Sequence, residues 1–214
     1  MTITSNLKAI QSSLPKEVTL VAVSKTKPNT AILEAYQAGQ RIFGENKVQE
    51  LVQKAEELPK DITWHMIGHL QTNKVKFIAP FVSLIHGLDS LKLLKEINKR
   101  AEQNNRIIHC LLQVHIATES SKFGFGIDEV ECALNQAEEF ENIKIVGLMG
   151  MATFTDDTQQ VADEFKSLKT VFDSIKNDNI TTLSMGMSGD YNLAIEQGST
   201  MVRVGSAIFG HRNK

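Results

Sequence analysis

Among the residues of this sequence, Lys25 gives the clearest indication of a chemical function. It follows an apolar run at residues 20–23 and lies in the string Val-Ser-Lys-Thr-Lys-Pro at residues 23–28. An apolar run without polar alternation predicts a strand buried on both faces of a parallel sheet. A lysine amine is costly to bury without a partner, and a desolvated amine can attack a carbonyl to form a Schiff base. The alternative is a lysine whose ammonium group reaches solvent at the strand end.

Two glycine–serine turns late in the chain predict an anion site. Ser188 precedes Gly189, and Gly205 precedes Ser206. Glycine lets the backbone approach a ligand closely, and the N–H groups that open a helix attract phosphate. Ordinary turns with capped helices are the alternative. Because the turns end the last two predicted strands, where barrels often hold phosphate, they favour a phosphate site.

Arg203 stands between two valines in the last predicted strand. A guanidinium inside a barrel either forms a structural ion pair or contacts a bound ring. The residues alone favour neither alternative over the other. A Schiff-base lysine, a phosphate site and an inward arginine together indicate pyridoxal 5′-phosphate. That cofactor needs an amine for its aldehyde, donors for its phosphate and a partner for its ring nitrogen.

Eight short apolar runs alternate with charged segments of helical periodicity. The predicted strands are residues 19–24, 41–45, 63–68, 81–88, 107–116, 143–152, 181–188 and 201–209. The predicted helices are residues 2–13, 29–39, 46–58, 90–104, 128–140, 158–176 and 189–197. Regular alternation predicts parallel strands with right-handed crossovers. We therefore expect a (β/α)8 TIM barrel, with an extra N-terminal helix, as one domain over residues 1–214. The C-terminal ends of its strands carry the site.

Composition excludes several classes of protein. The 214 residues include 42% hydrophobic and 22% charged residues, with a formal net charge of -2. This balance gives no reason to expect nucleic acid or an anionic membrane as a partner. The two cysteines, Cys110 and Cys132, match no metal-ligand spacing. Without a long apolar span or a signal-peptide layout, the expected location is the cytoplasm.

Other polar residues carry weaker indications. His65 and His69 are four residues apart, but Gly68 lies between them at a strand end, so a metal site is not expected. Lys27 and Lys74 either add positive potential at the barrel mouth or are solvated. His211 lies near the C-terminus.

Five ordered strings resemble the pyridoxal phosphate homeostasis proteins, the single-domain relatives of alanine racemase. They are Val-Ser-Lys-Thr-Lys-Pro, Phe-Gly-Glu-Asn followed by Val-Gln-Glu, Trp-His-Met-Ile-Gly-His-Leu-Gln-Thr-Asn-Lys, Leu-Ser-Met-Gly-Met-Ser and Gly-Ser-Thr-Met-Val-Arg-Val-Gly-Ser-Ala-Ile-Phe-Gly. The resemblance extends over about residues 21–210. It implies a barrel like the alanine racemase N-terminal domain, the type III fold of pyridoxal phosphate proteins.

The resemblance implies a set of cofactor-binding positions. They are Lys25, Asn46, His65, Met187, Ser188, Arg203, Gly205 and Ser206. It assigns Lys25 to the internal aldimine and Arg203 to the pyridine nitrogen, which a protonated arginine keeps unprotonated. Asn46 would lie near the ring, and the positions after strands 7 and 8 would hold the phosphate. His115 departs from the asparagine more common there, whereas the loop at residues 119–124 is close to the family sequence.

The same resemblance bears on catalysis. A racemase needs an acid–base group on each face of the cofactor, and Lys25 can serve one face. In alanine racemase a tyrosine of a second domain serves the other, and we expect that domain to be absent here. Tyr36 is expected on an outer helix and Tyr191 on the surface. The prediction is a monomeric, non-catalytic protein that holds pyridoxal phosphate as a Schiff base, buffers it and delivers it to apo-enzymes. Alternatives are an amino-acid racemase-type enzyme and a Schiff-base aldolase acting on a phosphorylated sugar.

Overall fold

The structure is a computed structural model that describes residues 2–119 and 123–210. Within these residues, eight parallel strands pair in chain order and close into a barrel. The strands are β1 Thr19–Val23, β2 Ile42–Glu45, β3 Thr63–Met66, β4 Leu84–Leu88, β5 Ile108–Gln113, β6 Ile143–Met149, β7 Thr182–Met187 and β8 Met201–Val204. Every predicted run contains one of them, so the predicted (β/α)8 barrel is confirmed.

Helices connect the strands and cover the outside of the barrel. They are α1 Ile3–Ser13, α2 Asn29–Gln37, α3 Val48–Glu57, α4 Val75–Ile78, α5 Leu91–Gln103, α6 Val130–Ala137, α7 Thr158–Ile175, α8 Tyr191–Glu196 and α9 Ser206–Phe209. Helix α1 confirms the predicted N-terminal helix, and the Thr2 side chain caps it. The 3-10 turn Thr72–Lys74 and helix α4 were not predicted, because so few residues show no helical periodicity.

The core has two parts, one inside the barrel and one between the strands and the helices. Inward side chains fill the barrel with Val21, Leu84, Leu111, Met149 and Met201. The barrel closes where β1 pairs with β8, with Val21 opposite Arg203. Strands buried on both faces explain why the sequence shows continuous apolar runs rather than alternation.

Six of the eight strands end earlier than the apolar runs that predicted them, whereas β2 and β4 end where predicted. The last run divides into β8 and α9, with Gly205 between them. The residues beyond each strand form the loops at one mouth of the barrel, and these loops carry most of the predicted site. Among the described residues, the structure has no helix long and apolar enough to cross a membrane.

Candidate functional site

A cleft of about 1140 Å³ opens at the C-terminal ends of the strands. This volume is ample for a small-molecule ligand. The predicted site residues that line it are Lys25, Asn46, Met187, Ser188, Arg203, Gly205 and Ser206. The fold therefore brings together residues that are far apart in the sequence, such as Lys25 and Ser206, which are separated by 181 positions.

Lys25 lies in the turn that follows β1 and is half-buried. The next residue, Thr26, has a φ of 64°, in the left-handed region that a β-branched side chain rarely adopts. The Thr26 N–H donates to Glu50 Oε2 at 2.9 Å. On the other side of Lys25, the buried Ser24 hydroxyl donates to Glu45 Oε1 at 2.6 Å. Both neighbours of Lys25 are thus fixed by carboxylates.

A buried ion cluster lies behind this turn, between the strands and α3. Lys54 Nζ is 2.7 Å from Glu45 Oε1, 3.3 Å from Glu50 Oε2 and 2.9 Å from the Ser24 carbonyl oxygen. Burial raises the pKa of Glu45 to about 7, although the hydrogen bonds from Lys54 and Ser24 act in the opposite direction. Sequence reasoning did not single out this cluster, because its members come from two strand ends and a helix.

The loops after β7 and β8 meet at Ser188. Its Oγ accepts hydrogen bonds from the backbone N–H of Gly205 at 3.0 Å and of Ala207 at 3.5 Å. A side chain at Gly205 would have its Cβ 3.2 Å from the Val23 carbonyl oxygen, so the chain passes close to β1 here. Lys27 Nζ donates at 3.0 Å each to the carbonyls of Phe209, the last residue of α9, and of Gly210, which follows it. The turn can offer the hydroxyls of Ser188 and Ser206 to an anion, and the N–H groups of Gly205 and Ala207 hold the Ser188 side chain in place.

Arg203 lies at the cleft with 4% of its surface exposed. Its NH1 donates to Ser184 Oγ at 2.6 Å and to the Ser184 carbonyl at 3.0 Å, and its NH2 donates to the Gly150 carbonyl at 3.1 Å. These bonds engage three of the five N–H donors of the guanidinium. Burial lowers the pKa of Arg203 to about 10, which leaves it protonated at neutral pH.

A hydrogen-bonded chain continues from Arg203 through the barrel interior. Ser184 Oγ is 3.1 Å from His86 Nδ1, and His86 Nε2 is 3.0 Å from His65 Nδ1. Because the guanidinium only donates to Ser184 Oγ, the Ser184 hydroxyl can donate a hydrogen bond to His86 Nδ1, and in that tautomer His86 Nε2–H donates to His65 Nδ1. Burial lowers the pKa of His65 to about 3 and that of His86 well below its usual value, so both are neutral.

This series of hydrogen bonds explains the position of the His65 side chain. The side chain was predicted to line the pocket, but it is buried at the end of the chain and is not among the residues that line the cleft. His65 lies within β3 rather than beyond its end, and an inward side chain within a strand enters the filled barrel interior. It reaches the cleft only through His86, Ser184 and Arg203.

His69 lines the cleft and was not predicted to do so. Its Nδ1 is 2.8 Å from Asp89 Oδ2, and its ring stacks on Phe123 with 3.9 Å between centroids. Asp89 is twenty residues away along the chain, so no local pattern could have indicated the pair. The Asp89 carboxylate fixes the orientation of the His69 ring at the cleft.

Asn46 follows β2 and is half-buried. A Cβ at Gly68 would lie 2.5 Å from the Asn46 carbonyl oxygen, so the two loops approach each other only because residue 68 is glycine. His115 follows β5, where its N–H donates to the Phe125 carbonyl at 2.9 Å. Residues 120–122 of the family-like loop, and His211, lie outside the described residues.

The two tyrosines lie outside the cleft. Tyr36 is on α2, as predicted, with its hydroxyl on Asp61. The expected exposure of Tyr191 is wrong, since it is half-buried and packs against the core between helices and strands. Across residues 2–119 and 123–210, the structure has no group of three or more histidine, cysteine, aspartate or glutamate side chains that could hold a metal ion.

The closed barrel, with its cleft at the C-terminal ends of the strands, places this protein in the class of barrels built like the N-terminal domain of alanine racemase. The family model of that domain matches residues 1–213. The solved alanine racemase of E. faecalis has a TM-score of 0.77 at 16% identity, and the match covers 98% of this chain and 58% of that one. This similarity shows the shared fold.

Relatives with higher sequence identity show to which group within this family the chain belongs. The pyridoxal phosphate homeostasis protein of Aquifex aeolicus is 40% identical over 197 residues, which cover 90% of this chain and 86% of that protein. That of Haemophilus influenzae is 39% identical over 230 residues, covering 100% and 97%. PipY of Synechococcus elongatus, solved with pyridoxal phosphate bound, has a TM-score of 0.89 at 35% identity and covers 98% of this chain and 100% of that one. The chain therefore belongs to the alanine racemase N-terminal domain family and, within it, to the pyridoxal phosphate homeostasis proteins.

Proposed function

We propose that this protein binds pyridoxal 5′-phosphate covalently and reversibly at Lys25 and serves intracellular homeostasis of that cofactor. It buffers the cofactor and delivers it to apo-enzymes, and so affects amino-acid and keto-acid metabolism indirectly. The observation that carries the proposal is the convergence of Lys25, Arg203 and the Ser188–Gly205 turn on one cleft.

The donor set of the cleft fits this cofactor. Pyridoxal phosphate, when bound, supplies an aldehyde that reacts reversibly with an amine. Lys25 is the amine, and the flanking contacts of Ser24 and Thr26 hold it at the cleft. Ser188 and Ser206, with the N–H groups of the same turn, bind the phosphate. Arg203 directs cationic N–H donors at the cleft floor, where they suit a ring nitrogen with a free lone pair.

Asn46 and Met187 complete the binding positions, and His65 contributes by ordering the chain that holds Arg203. The proposal describes one barrel domain over residues 1–214, a monomer located in the cytoplasm. A family-model match over residues 1–213 supports the single domain. Light scattering on the purified protein, behind a sizing column, measures the oligomeric state.

The protein is proposed to lack strong catalysis. Of the described residues, neither tyrosine lines the cleft, so the second acid–base group used by alanine racemase has no counterpart there. One observation favours the alternative of a racemase-type enzyme. His69, oriented by Asp89, places an imidazole on the cleft and can accept or donate a proton.

An absorption spectrum tests the cofactor proposal. Purified protein with added pyridoxal phosphate is expected to show a yellow band that borohydride bleaches, leaving the cofactor mass on the peptide containing Lys25. The Lys25→Ala variant should lose both the band and the mass. Lys27→Ala is the matched control, since Lys27 lines the same cleft, and it should keep both. A colourless wild type that takes up no cofactor would contradict the proposal and favour a phosphorylated-sugar ligand.

Deuterium exchange separates the carrier from the enzyme. The loaded protein is incubated with several amino acids in deuterated water, and exchange at the α-carbon is followed by NMR. Exchange far slower than ordinary turnover supports a carrier. Exchange at about 1 per second or faster, abolished by His69→Gln, would establish an enzyme.

A further inference from the structure

We propose that the buried cluster of Ser24, Glu45, Glu50 and Lys54, here called the Lys25 support, is the device that positions Lys25 for the cofactor. The inference rests on the proposed function, because it concerns how Lys25 meets pyridoxal phosphate. Glu45, Glu50 and Lys54 would act through the backbone on either side of Lys25 without touching the cofactor themselves.

The Lys25 support is connected to both neighbours of Lys25. On the N-terminal side, Lys54 Nζ donates a hydrogen bond to the Ser24 carbonyl oxygen at 2.9 Å. Glu45 Oε1 accepts a hydrogen bond from the Ser24 hydroxyl at 2.6 Å. On the C-terminal side, Glu50 Oε2 accepts the Thr26 N–H at 2.9 Å. Lys54 links the two carboxylates at 2.7 and 3.3 Å. The support therefore holds the backbone on both sides of Lys25, in addition to the bond within the turn from the Lys27 N–H to the Ser24 carbonyl at 3.0 Å.

The backbone at Thr26 needs such a support. Its φ of 64° is unfavourable for a β-branched residue and persists only where surrounding contacts over-determine it. The Glu50 contact is made by the N–H of that same residue. Without it, Thr26 is expected to relax to an ordinary φ, and the rotation would turn the Lys25 side chain relative to the cleft.

The chemistry of the support indicates a role beyond stability. Glu45 is fully buried, and its Oε2 is a buried side-chain oxygen that has no hydrogen-bond partner within the part of the chain that the structure describes. Lys54 is 6% exposed. Apolar side chains of similar volume would often stabilise the fold as well or better than such buried charges. They would not, however, fix the direction of the Ser24 carbonyl and the Thr26 N–H, which is what a positioned amine requires.

Positioning has a measurable consequence for binding. A turn that is ordered before the cofactor arrives loses less conformational freedom on binding, and so binds more tightly. The apo-protein should therefore already protect the Thr26 amide from hydrogen exchange. Loss of the support should raise that exchange and weaken cofactor binding together.

The test compares Glu50→Ala with Glu50→Gln. Glu50 is only half-buried, so both variants are expected to fold. Alanine removes the acceptor for the Thr26 N–H, whereas glutamine keeps an amide oxygen at its position. We expect Glu50→Ala to accelerate exchange of the Thr26 amide and to raise the dissociation constant for pyridoxal phosphate, each about tenfold or more. Glu50→Gln should restore most of both.

Lys54→Met tests the buried cation of the support, and Arg106→Met, at a half-buried cation, is its control. Arg106 donates to the Ala79 and Val82 carbonyls at the opposite end of the barrel. Both methionine variants should lower the melting temperature, but only Lys54→Met should alter amide exchange at residues 24–27 and cofactor affinity. If Lys54→Met fails to fold, the Glu50 variants decide the question.

Two outcomes overturn separate claims. If the wild type binds pyridoxal phosphate on Lys25 but Glu50→Ala matches it in affinity and in Thr26 exchange, the Lys25 support is only structural. If the wild type binds no cofactor, the proposed function fails. Amide exchange in the apo-protein then still decides whether the support orders the turn.

Discussion

Lowering the pH should destabilise this protein through two buried histidines, and a buried glutamate should offset about half of the loss. Burial lowers the pKa of His65 to about 3 and that of His86 well below 6.5, the usual value, which holds in the unfolded chain. Below pH 6.5 the unfolded chain binds protons that the folded protein does not. The stability these histidines contribute is therefore complete above pH 6.5 and is lost as the pH falls.

Glu45 acts with the opposite sign. Burial raises its pKa to about 7, from 4.5 in the unfolded chain. Between these values the folded protein binds the extra proton, so stability increases as the pH falls. Each titrating group changes the free energy of unfolding by about 1.4 kcal/mol per pH unit. From pH 7 to 5 the two histidines together lose about 4 kcal/mol and Glu45 regains about 2 kcal/mol.

Wild type and Glu45→Gln should therefore differ in how steeply stability falls. Urea denaturation at pH 7 and pH 5, without added cofactor, should show a loss of about 2 kcal/mol for the wild type and about 4 kcal/mol for Glu45→Gln. Because Glu45→Gln also changes the partners of Lys54 and Glu50, the comparison uses the loss of stability between the two pH values rather than the stability at one pH. Equal losses in the two proteins would refute the assignment of a raised pKa to Glu45. A wild type whose stability does not change would refute the buried neutral histidines.

Four further substitutions test other contacts. Ser184→Ala leaves a buried imidazole nitrogen without a donor and should lower the free energy of unfolding by about 2–4 kcal/mol in urea denaturation. Gly147→Ala would place a Cβ 1.7 Å from the Thr182 carbonyl oxygen and should abolish soluble expression. Gly189→Ala, with nothing within 4 Å of its Cβ, should express normally. Ser188→Ala removes a hydroxyl from the phosphate turn and should weaken cofactor binding about tenfold in fluorescence titration.

Local patterns in the sequence were enough to predict the fold. Most strands are buried on both faces, so each leaves a continuous apolar run, such as residues 20–23, that can be recognised without knowing its neighbours. Strands β5 and β6 differ by one exposed residue each, His109 and Lys144. Helix α5 shows the complementary case, with Leu93, Leu94, Ile97 and Ala101 buried at helical spacing. Helix α4 has four residues and therefore no period to detect.

The candidate site was predictable where it depends on strand ends and unpredictable where it depends on pairs of side chains. Lys25 and Ser188 follow strands, and parallel strands of a barrel bring such positions to one mouth regardless of sequence separation. By contrast, His86 meets Ser184 across 98 positions, and His69 meets Asp89 across 20. Such contacts depend on the relative rotation of separate elements, which a single sequence does not encode as a local pattern.

Arg203 shows what the structure adds to alternatives that the sequence leaves even. The sequence allowed a structural ion pair or a contact to a bound ring. The hydrogen bonds made by Arg203 among the described residues go to the Ser184 carbonyl and hydroxyl and to the Gly150 carbonyl, all of which are neutral. Among the described residues no carboxylate is hydrogen-bonded to Arg203, although the charge of Asp190, which also lines the cleft, acts on it. We expect a protonated arginine beside a bound pyridine ring to disfavour protonation of the ring nitrogen and so to weaken the electron withdrawal by the cofactor.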